Sequence, residues 1–221
     1  MKTTLKKAIW LIGLVFCLAG CGISAAESNQ QAAELTVSLN EDWQADQTEK
    51  EEKYQRLLKS GKYDEDNMYI QLNPYEASPL SALLLFQTTE AMKVEISVAG
   101  KDEATTITND FDAYTTDHSI PVLGLYAASE NEVTVTLTDE TGNSLEKKVT
   151  IKTGTLPKSS AKIDVKTADT TKMDLVDSEL TFVVPSTKQA YAFDTNGDVR
   201  WYSTRYNSHI FKELNNGNLL Y

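Results

Sequence analysis

The sequence is poor in cysteine, which limits both the chemistry and the covalent structure of the protein. It contains two cysteines, Cys17 and Cys21, and none from Gly22 onwards. In that long remainder no disulfide can form, and no cysteine thiolate, cysteine-bound zinc ion or iron–sulfur cluster can take part in catalysis. The fold after Cys21 must therefore be stabilised by the burial of apolar side chains.

Basic residues are scarce relative to acidic ones. The chain has 21 lysines and arginines against 32 aspartates and glutamates, which gives a formal net charge of −11 at pH 7. A surface of this sign repels nucleic-acid backbones and anionic lipid headgroups. We therefore expect no nucleic-acid partner, and any attachment to a membrane has to come from a lipid anchor and not from a basic patch.

Long apolar runs are few, and the clearest one lies near the N-terminus. Three lysines precede an apolar run over residues 8–18, and small residues then lead to Cys21. The run is too short to span a bilayer comfortably. This order of charged, apolar and small residues predicts a signal peptide over residues 1–20.

The tetrapeptide "LAGC", which ends at Cys21, resembles the lipobox of bacterial lipoproteins. The resemblance implies that Cys21 carries a lipid and becomes the first residue of an exported protein that is lipid-anchored to the bacterial cell membrane. The alternative is an ordinary secretory signal peptide with a cysteine after the cleavage site by chance.

Residues 21–66 are predicted to form a tether followed by a short helix. The stretch from Gly22 to Leu39 is rich in Ser, Ala, Gln and Asn and has no apolar period, which is typical of a flexible spacer. The stretch from Asp42 to Tyr63 contains good helix formers and Glu/Lys pairs, with Gly61 as a natural end.

Residues 67–155 consist of short runs rich in Val, Ile, Thr and Leu, separated by Pro, Gly, Asn and Asp. The clearest hairpin covers residues 131–153, where apolar residues alternate with polar ones on both sides of Gly142-Asn143. Such alternation buries one face of a sheet and leaves the other in water. The pattern predicts an antiparallel β-sandwich of the immunoglobulin type.

After a linker at residues 156–166, two hairpin signals follow, Asn196-Gly197 and Asn216-Gly217, 20 residues apart. A four-stranded propeller blade takes about 40 residues and two hairpins. Residues 167–221 are therefore predicted to form the first blade of an incomplete β-propeller, whose remaining blades are expected beyond this sequence. The predicted fold class is all-β: a β-sandwich followed by a first blade, with a short helix before the sandwich.

Four stretches carry a resemblance to bacterial aryl-sulfate sulfotransferases. "NPYEASPLSALLLFQT" and "HSIPVLGLYAASENEVTVTLTDETGNS" resemble the N-terminal domain of these enzymes, and "AFDTNGDVRWY" and "HIFKELNNGNLLY" resemble their opening propeller blade. The resemblance implies transfer of a sulfuryl group from a phenolic sulfate ester to a phenol through a sulfated histidine, with no cofactor. It also implies that the nucleophile belongs to a later blade, outside this chain.

Histidine is as rare as cysteine, with two in the chain. His118 is predicted to be structural, in a turn or at the start of an apolar strand. His209 precedes an Asn-Gly-Asn turn in a blade motif where the family often has a channel-facing histidine. The resemblance therefore implies a supporting catalytic role for His209, although Ile210 follows it where the family often has aspartate.

Arg200 and Arg205 flank Trp201, Tyr202 and Tyr206, an arrangement suited to binding an aryl sulfate by ion pairing and stacking. The alternative is that Trp201 is buried between blades while both arginines lie at solvated edges.

The segment Asp194, Asn196 and Asp198 is similar to an oxygen-rich calcium loop. A bidentate glutamate at the right distance is missing, so the three residues are predicted to cap a turn. The sequence therefore predicts neither a metal site nor a cofactor.

Three functions from different classes stay open. The first is the N-terminal part of a lipid-anchored aryl-sulfate sulfotransferase, with a phenolic sulfate donor, a phenol acceptor and the membrane as partners. The second is a non-catalytic envelope lipoprotein with a quinoprotein-like propeller scaffold, and the third is a β-sandwich binding or adhesion module. The sequence is compatible with a monomer or a homodimer.

Overall fold

β-Strands dominate the chain, as shown by a computed structural model. The structure describes residues 25–158, 160, 162–169, 180–186, 189–205, 212–213 and 219–220. The chain divides into two compact units, Met1–Ala45 and Asp46–Tyr221, and the sheets and the site described below belong to the second. Within the described residues, no helix combines the length and the apolar character needed to cross a membrane.

Helix α1 spans Ala25–Leu58 and is longer than predicted. It begins inside the stretch for which the sequence predicts a spacer, because the alanines, glutamines and glutamates of that stretch are themselves good helix formers. The helix ends before Gly61, whose φ of 65° agrees with its predicted role. Near its end, Tyr54 and Leu58 are buried against Leu83 and Leu85 of the adjoining sheet.

Five antiparallel strands form the first sheet: β1 Tyr69–Leu72, β2 Ala82–Val98, β3 Ile107–Val122, β4 Glu130–Asp139 and β5 Ser144–Lys152. Strand β2 is central, with β3 along one side. On its other side, β1 pairs with the first part of β2 and β4 with the last part, and β5 lies beyond β4.

Strands β2 and β3 are each longer than the sequence predicts. The sequence suggests two strands at residues 80–87 and 92–100, but the chain continues as one strand whose register shifts between Gln87 and Val94. Likewise, the sequence suggests separate strands at residues 104–108 and 120–127, but β3 runs through the polar stretch between them. An edge strand can contain these polar residues because much of it faces water, as at Asp110, Asp112 and Asp117.

The core of the first sheet is apolar. Fully buried side chains from β2, β3 and β4 interdigitate there: Leu84, Phe86, Ile96, Val98, Val122, Val133, Val135 and Leu137. Their alternation with exposed polar residues along β4 confirms the predicted hairpin. Its turn places Gly142 at φ 90°, and Asp139 Oδ1 accepts the backbone N–H groups of Thr141 and Asn143 at 2.8 Å each.

The second sheet contains three short antiparallel strands, β6 Thr181–Val183, β7 Tyr191–Phe193 and β8 Val199–Tyr202. Gly197, at φ 83°, forms the turn between β7 and β8, which confirms the hairpin predicted at Asn196-Gly197. Strands β9 Lys212–Glu213 and β10 Leu219–Leu220 also pair, while the Asn216-Gly217 turn lies outside the described residues. The predicted all-β fold class is confirmed.

Candidate functional site

Arg200 on β8 is fully buried, and its position differs from the solvated edge that strand alternation suggests. The expectation of a solvated edge for this arginine is wrong because the segments that connect β2 to β3 and β3 to β4 cover its side chain. The guanidinium lies against the segments that follow Gly100 and Val122, in contact with Thr105, Gly124 and Tyr126.

Four acceptors surround the Arg200 guanidinium. Nε donates to the Gly124 carbonyl at 2.8 Å, while Nη1 lies 2.7 Å from the Thr105 carbonyl, 3.0 Å from the Tyr126 hydroxyl and 3.0 Å from Asp194 Oδ2. The guanidinium carbon lies 3.8 Å from the centroid of the Tyr126 ring, which adds a cation–π contact. A planar cation with donors along its edge suits this set of carbonyl, hydroxyl and carboxylate acceptors.

Asp194 serves both the turn and the buried ion pair. Its Oδ1 accepts the backbone N–H groups of Asn196 and Asp198 at 3.0 Å each, while Oδ2 faces Arg200. The predicted turn-capping role is therefore confirmed for Asp194, whereas the side chains of Asn196 and Asp198 contact Asp102 and Lys101. In the part of the chain that the structure describes, no group of three His, Cys, Asp or Glu side chains could hold a metal ion.

Two exposed contacts border the Arg200 cluster, which we define as Thr105, Gly124, Tyr126, Asp194 and Arg200. The Lys101 ammonium lies 2.7 Å from Asp198 Oδ2, and that hydrogen bond raises the pKa of Lys101. The Asn196 amide donates to Asp102 Oδ2 at 2.8 Å and lowers the pKa of Asp102. Because these groups are exposed, we expect them to contribute less than the buried pair.

The conformation of Gly124 explains why the apolar motif "IPVLGLY" contains a glycine. Strand β3 ends at Val122, and Gly124 turns the chain with φ 81°, which presents its carbonyl to Arg200. A Cβ atom at this position would lie 2.4 Å from Ile107 Cδ1. The left-handed backbone favours glycine, and any larger residue would also force the end of the Ile107 side chain to shift.

His118 lies inside β3 and not at its start. Its ring stacks on Phe86 at 4.5 Å between centroids, and Nε2 forms a 3.0 Å hydrogen bond with the Thr88 hydroxyl, a side-chain partner. Burial lowers the pKa of His118. These contacts agree with a structural role.

The other predicted site residues are not brought together by the described structure. Arg205 is half-buried, and its backbone N–H donates to Ser203 Oγ at 3.0 Å. Trp201 is half-buried as well, with its ring 6.1 Å from that of Phe182. His209 and Cys21 lie outside the described residues, so their roles, like substrate binding by the two arginines, stay predictions.

Sequence reasoning missed the partners of Arg200, although two signals pointed to them. The internal glycine of "IPVLGLY" is unusual in an apolar strand and marks a close approach of another group. Asp194 and Arg200 lie on the two sides of the turn between β7 and β8, so an acidic and a basic side chain flank a short hairpin. Neither signal shows which face of the hairpin is covered.

An immunoglobulin-like sheet followed by short antiparallel hairpins defines an all-β class of protein, and comparison with known families specifies it further. A family model described as the arylsulfotransferase Ig-like domain matches residues 69–154, and another described as arylsulfotransferase (ASST) matches residues 163–221. The chain therefore belongs to the arylsulfotransferase family. Among curated proteins none matches it.

Proposed function

We propose that the chain is the N-terminal part of an aryl-sulfate sulfotransferase that transfers a sulfuryl group from a phenolic sulfate ester to a phenol. The observation that carries the proposal is the order of the two family matches, an Ig-like domain followed by a stretch that matches the arylsulfotransferase (ASST) family. The net negative charge of the chain disfavours nucleic acid as a partner.

The proposed reaction has two displacements at sulfur. A histidine nitrogen attacks the sulfur atom, the bond between sulfur and the phenolic oxygen breaks, and the phenolate leaves. The acceptor phenol then gives its proton to a general base, its oxygen forms a bond to sulfur, and the bond between sulfur and the histidine nitrogen breaks, which regenerates the free histidine. Cationic or hydrogen-bonding groups would stabilise the charge on the sulfuryl oxygens and on the leaving phenolate.

The nucleophilic histidine is proposed to lie outside this chain. His118 is 1% exposed and packed between Phe86 and Thr88, which leaves no room for a phenolic sulfate. We propose a supporting role for His209 and contacts with the sulfate group for Arg205. Arg200 is proposed to act on substrate only if its buried contacts open, because protein acceptors occupy its Nε and Nη1 atoms.

A lipid on Cys21 is proposed to anchor the exported protein to the membrane. The support is the signal-peptide pattern and the "LAGC" tetrapeptide. Replacing Cys21 with serine should move the protein from the membrane fraction to the soluble fraction and abolish incorporation of radiolabelled fatty acid. Unchanged membrane recovery of the Cys21→Ser protein would contradict the anchor but not the enzymatic proposal.

The enzymatic proposal is tested by expressing the whole open reading frame that contains this chain. A chromogenic aryl sulfate is supplied with and without a phenol acceptor, and phenolate release is followed by absorbance. We expect release that depends on the acceptor and formation of the sulfated acceptor. Release without acceptor would indicate a sulfatase, and no release would contradict the proposed activity.

A further inference from the structure

The loop of residues 73–78, which contains the "NPYEAS" stretch, has an unusual backbone. Asn73 and Glu76 have φ values of 49° and 58°, in the left-handed region that non-glycine residues seldom occupy. Local hydrogen bonds hold the loop, since the Asn73 N–H donates to the Ser81 carbonyl at 2.8 Å and the Ser78 N–H donates to Asn73 Oδ1 at 3.0 Å. Such a conformation persists where surrounding contacts enforce it.

Helix α1 contacts the first half of this loop through two tyrosines. The buried Tyr54 donates its hydroxyl to the Pro74 carbonyl at 2.6 Å. The Tyr75 ring meets the Tyr54 ring edge to face, with centroids 5.7 Å apart, and the Tyr75 hydroxyl donates to Glu51 Oε2 at 2.6 Å. All three contacts involve Glu51 or Tyr54 of α1, which belong to the same compact unit as the sheets.

The second sheet contacts the other half of the same loop. The Thr204 N–H donates to the Ala77 carbonyl, and the Thr204 hydroxyl donates to the Glu76 carbonyl, each at 3.0 Å. The preceding residue, Ser203, is buried and donates its N–H to the Ala190 carbonyl at 2.8 Å, which ties Thr204 to the second sheet. Adjacent loop residues therefore accept hydrogen bonds from two different parts of the fold.

One loop residue, Glu76, contacts both helix α1 and the segment that follows β8. The Glu76 carboxylate lies 3.3 Å from the Lys50 ammonium of α1, while the Glu76 carbonyl accepts the Thr204 hydroxyl. Any change in how α1 holds the loop is therefore transmitted to the groups that bind the second sheet.

We propose that residues 46–58 of α1 act through the 73–78 loop as a latch on the second sheet. The helix holds Pro74 and Tyr75, and this keeps the Glu76 and Ala77 carbonyls in position for Thr204. Loosening the contact between helix and loop releases the end of β8. The proposal concerns coupling within the fold and stands independently of the proposed sulfotransferase activity.

The test is amide hydrogen exchange of the full chain, measured residue by residue by NMR. Tyr54→Phe removes the hydroxyl that reaches Pro74 and keeps the ring, and Tyr114→Phe, at an exposed position of β3, is the matched control. Losing one buried hydrogen bond should speed exchange of the Thr204 amide and of the β7 and β8 amides about three- to tenfold. The β4 amides should stay within about twofold of the wild type in both variants.

A double substitution completes the test. Thr204→Val removes the hydroxyl contact with Glu76, and adding Tyr54→Phe to it should give little further acceleration in β7 and β8, because both changes act on one latch. Three outcomes would overturn the proposal: acceleration confined to α1, acceleration equal in β4 and β8, or independent additive effects of the two substitutions.

Discussion

The first and second sheets are stabilised by different kinds of contact. Apolar side chains fill the core of the first sheet, and several of them, such as Phe86, Ile96 and Val135, are 0% exposed. Apart from Val199, the buried residues described in the second sheet and its turns are small or polar: Ala190, Ala192, Asp194, Arg200 and Ser203. A set of this kind buries little apolar area by itself, so the second sheet depends on what it docks against.

This difference indicates how a small sheet with little apolar core of its own becomes ordered, namely by docking against the rest of the fold. Val199 packs within the apolar cluster of the first sheet. Arg200 and Asp194 form a buried ion pair. Buried ion pairs add less net stability than apolar packing, but they are strict about geometry and costly to break on one side. The Arg200 cluster therefore fixes the position of the second sheet more than it stabilises the whole chain.

The largest predicted effect comes from Arg200→Met. This change leaves the buried Asp194 carboxylate without its cation and should destabilise the docked second sheet by about 3–5 kcal/mol. Amide hydrogen exchange should become much faster in β6, β7 and β8 and stay near the wild-type rate in β4 and β5. That result would separate docking from global stability.

Arg200→Lys is the matched variant for this prediction. Lysine retains the charge but not the planar set of donors, so it can satisfy Asp194 while losing the contact with the Gly124 carbonyl. We expect an intermediate rate of exchange in β7 and β8. Equal acceleration in both sheets for Arg200→Met would show that the two sheets unfold as one unit.

The second effect concerns Gly124, which supports the Arg200 cluster from the first sheet. Gly124→Ala combines a left-handed φ with a methyl group 2.4 Å from Ile107 Cδ1, and should lower the free energy of unfolding by about 2–4 kcal/mol. Gly142→Ala is the control, because its φ is 90° with nothing within 4 Å of the added atom. It should cost about 1–2 kcal/mol.

Chemical denaturation of the two alanine variants measures the difference. Adding Ile107→Val to Gly124→Ala removes the Cδ1 atom and should restore part of the loss. If Gly124→Ala and Gly142→Ala cost the same, the close approach of Ile107 contributes nothing, and only backbone strain matters.

Local patterns predicted the hairpins, while long-range docking escaped sequence reasoning. The turns at Gly142 and Gly197 were predictable because glycine conformation and apolar alternation act over a few residues. The length of β3 was missed, since its polar middle satisfies its edge position without an apolar period. The burial of Arg200 was missed because alternation shows two faces and not which one a distant segment, such as Tyr126, covers.

A smaller, pH-dependent effect is expected at His118, which belongs to the first sheet alone. Burial lowers its pKa below the ordinary 6.5, so the unfolded chain binds a proton more readily than the native one. The native state therefore keeps its full stability above about pH 6.5 and loses stability as the pH falls toward the native pKa of His118. Unfolding of wild type and His118→Gln at pH 7.5 and pH 5.0 should show a larger loss on acidification for the wild type.

The same comparison also tests whether the first sheet loses structure on acidification independently of the second sheet. His209 is present in both proteins, so its titration cancels in the comparison. Once exchange rates are corrected for their intrinsic pH dependence, the loss of protection on acidification should be largest in the β2 and β3 amides around Phe86 and Thr88. Acid sensitivity that is the same in both proteins would contradict the assignment to His118.

The smallest predicted effect lies at the β4–β5 turn, which is exposed and far in sequence from the docked hairpin. Hydrogen bonds from Asn143, Thr141 and the turn backbone lower the pKa of Asp139 to about 2. The carboxylate therefore stabilises the native state above its ordinary pKa of 3.8, and this contribution is lost as pH falls toward 2. Asp139→Asn should lower Tm slightly at pH 6, and the difference from wild type should shrink between pH 4 and about pH 2. A difference in Tm that stays constant over that range would mean that the turn needs the shape of the side chain and not its charge.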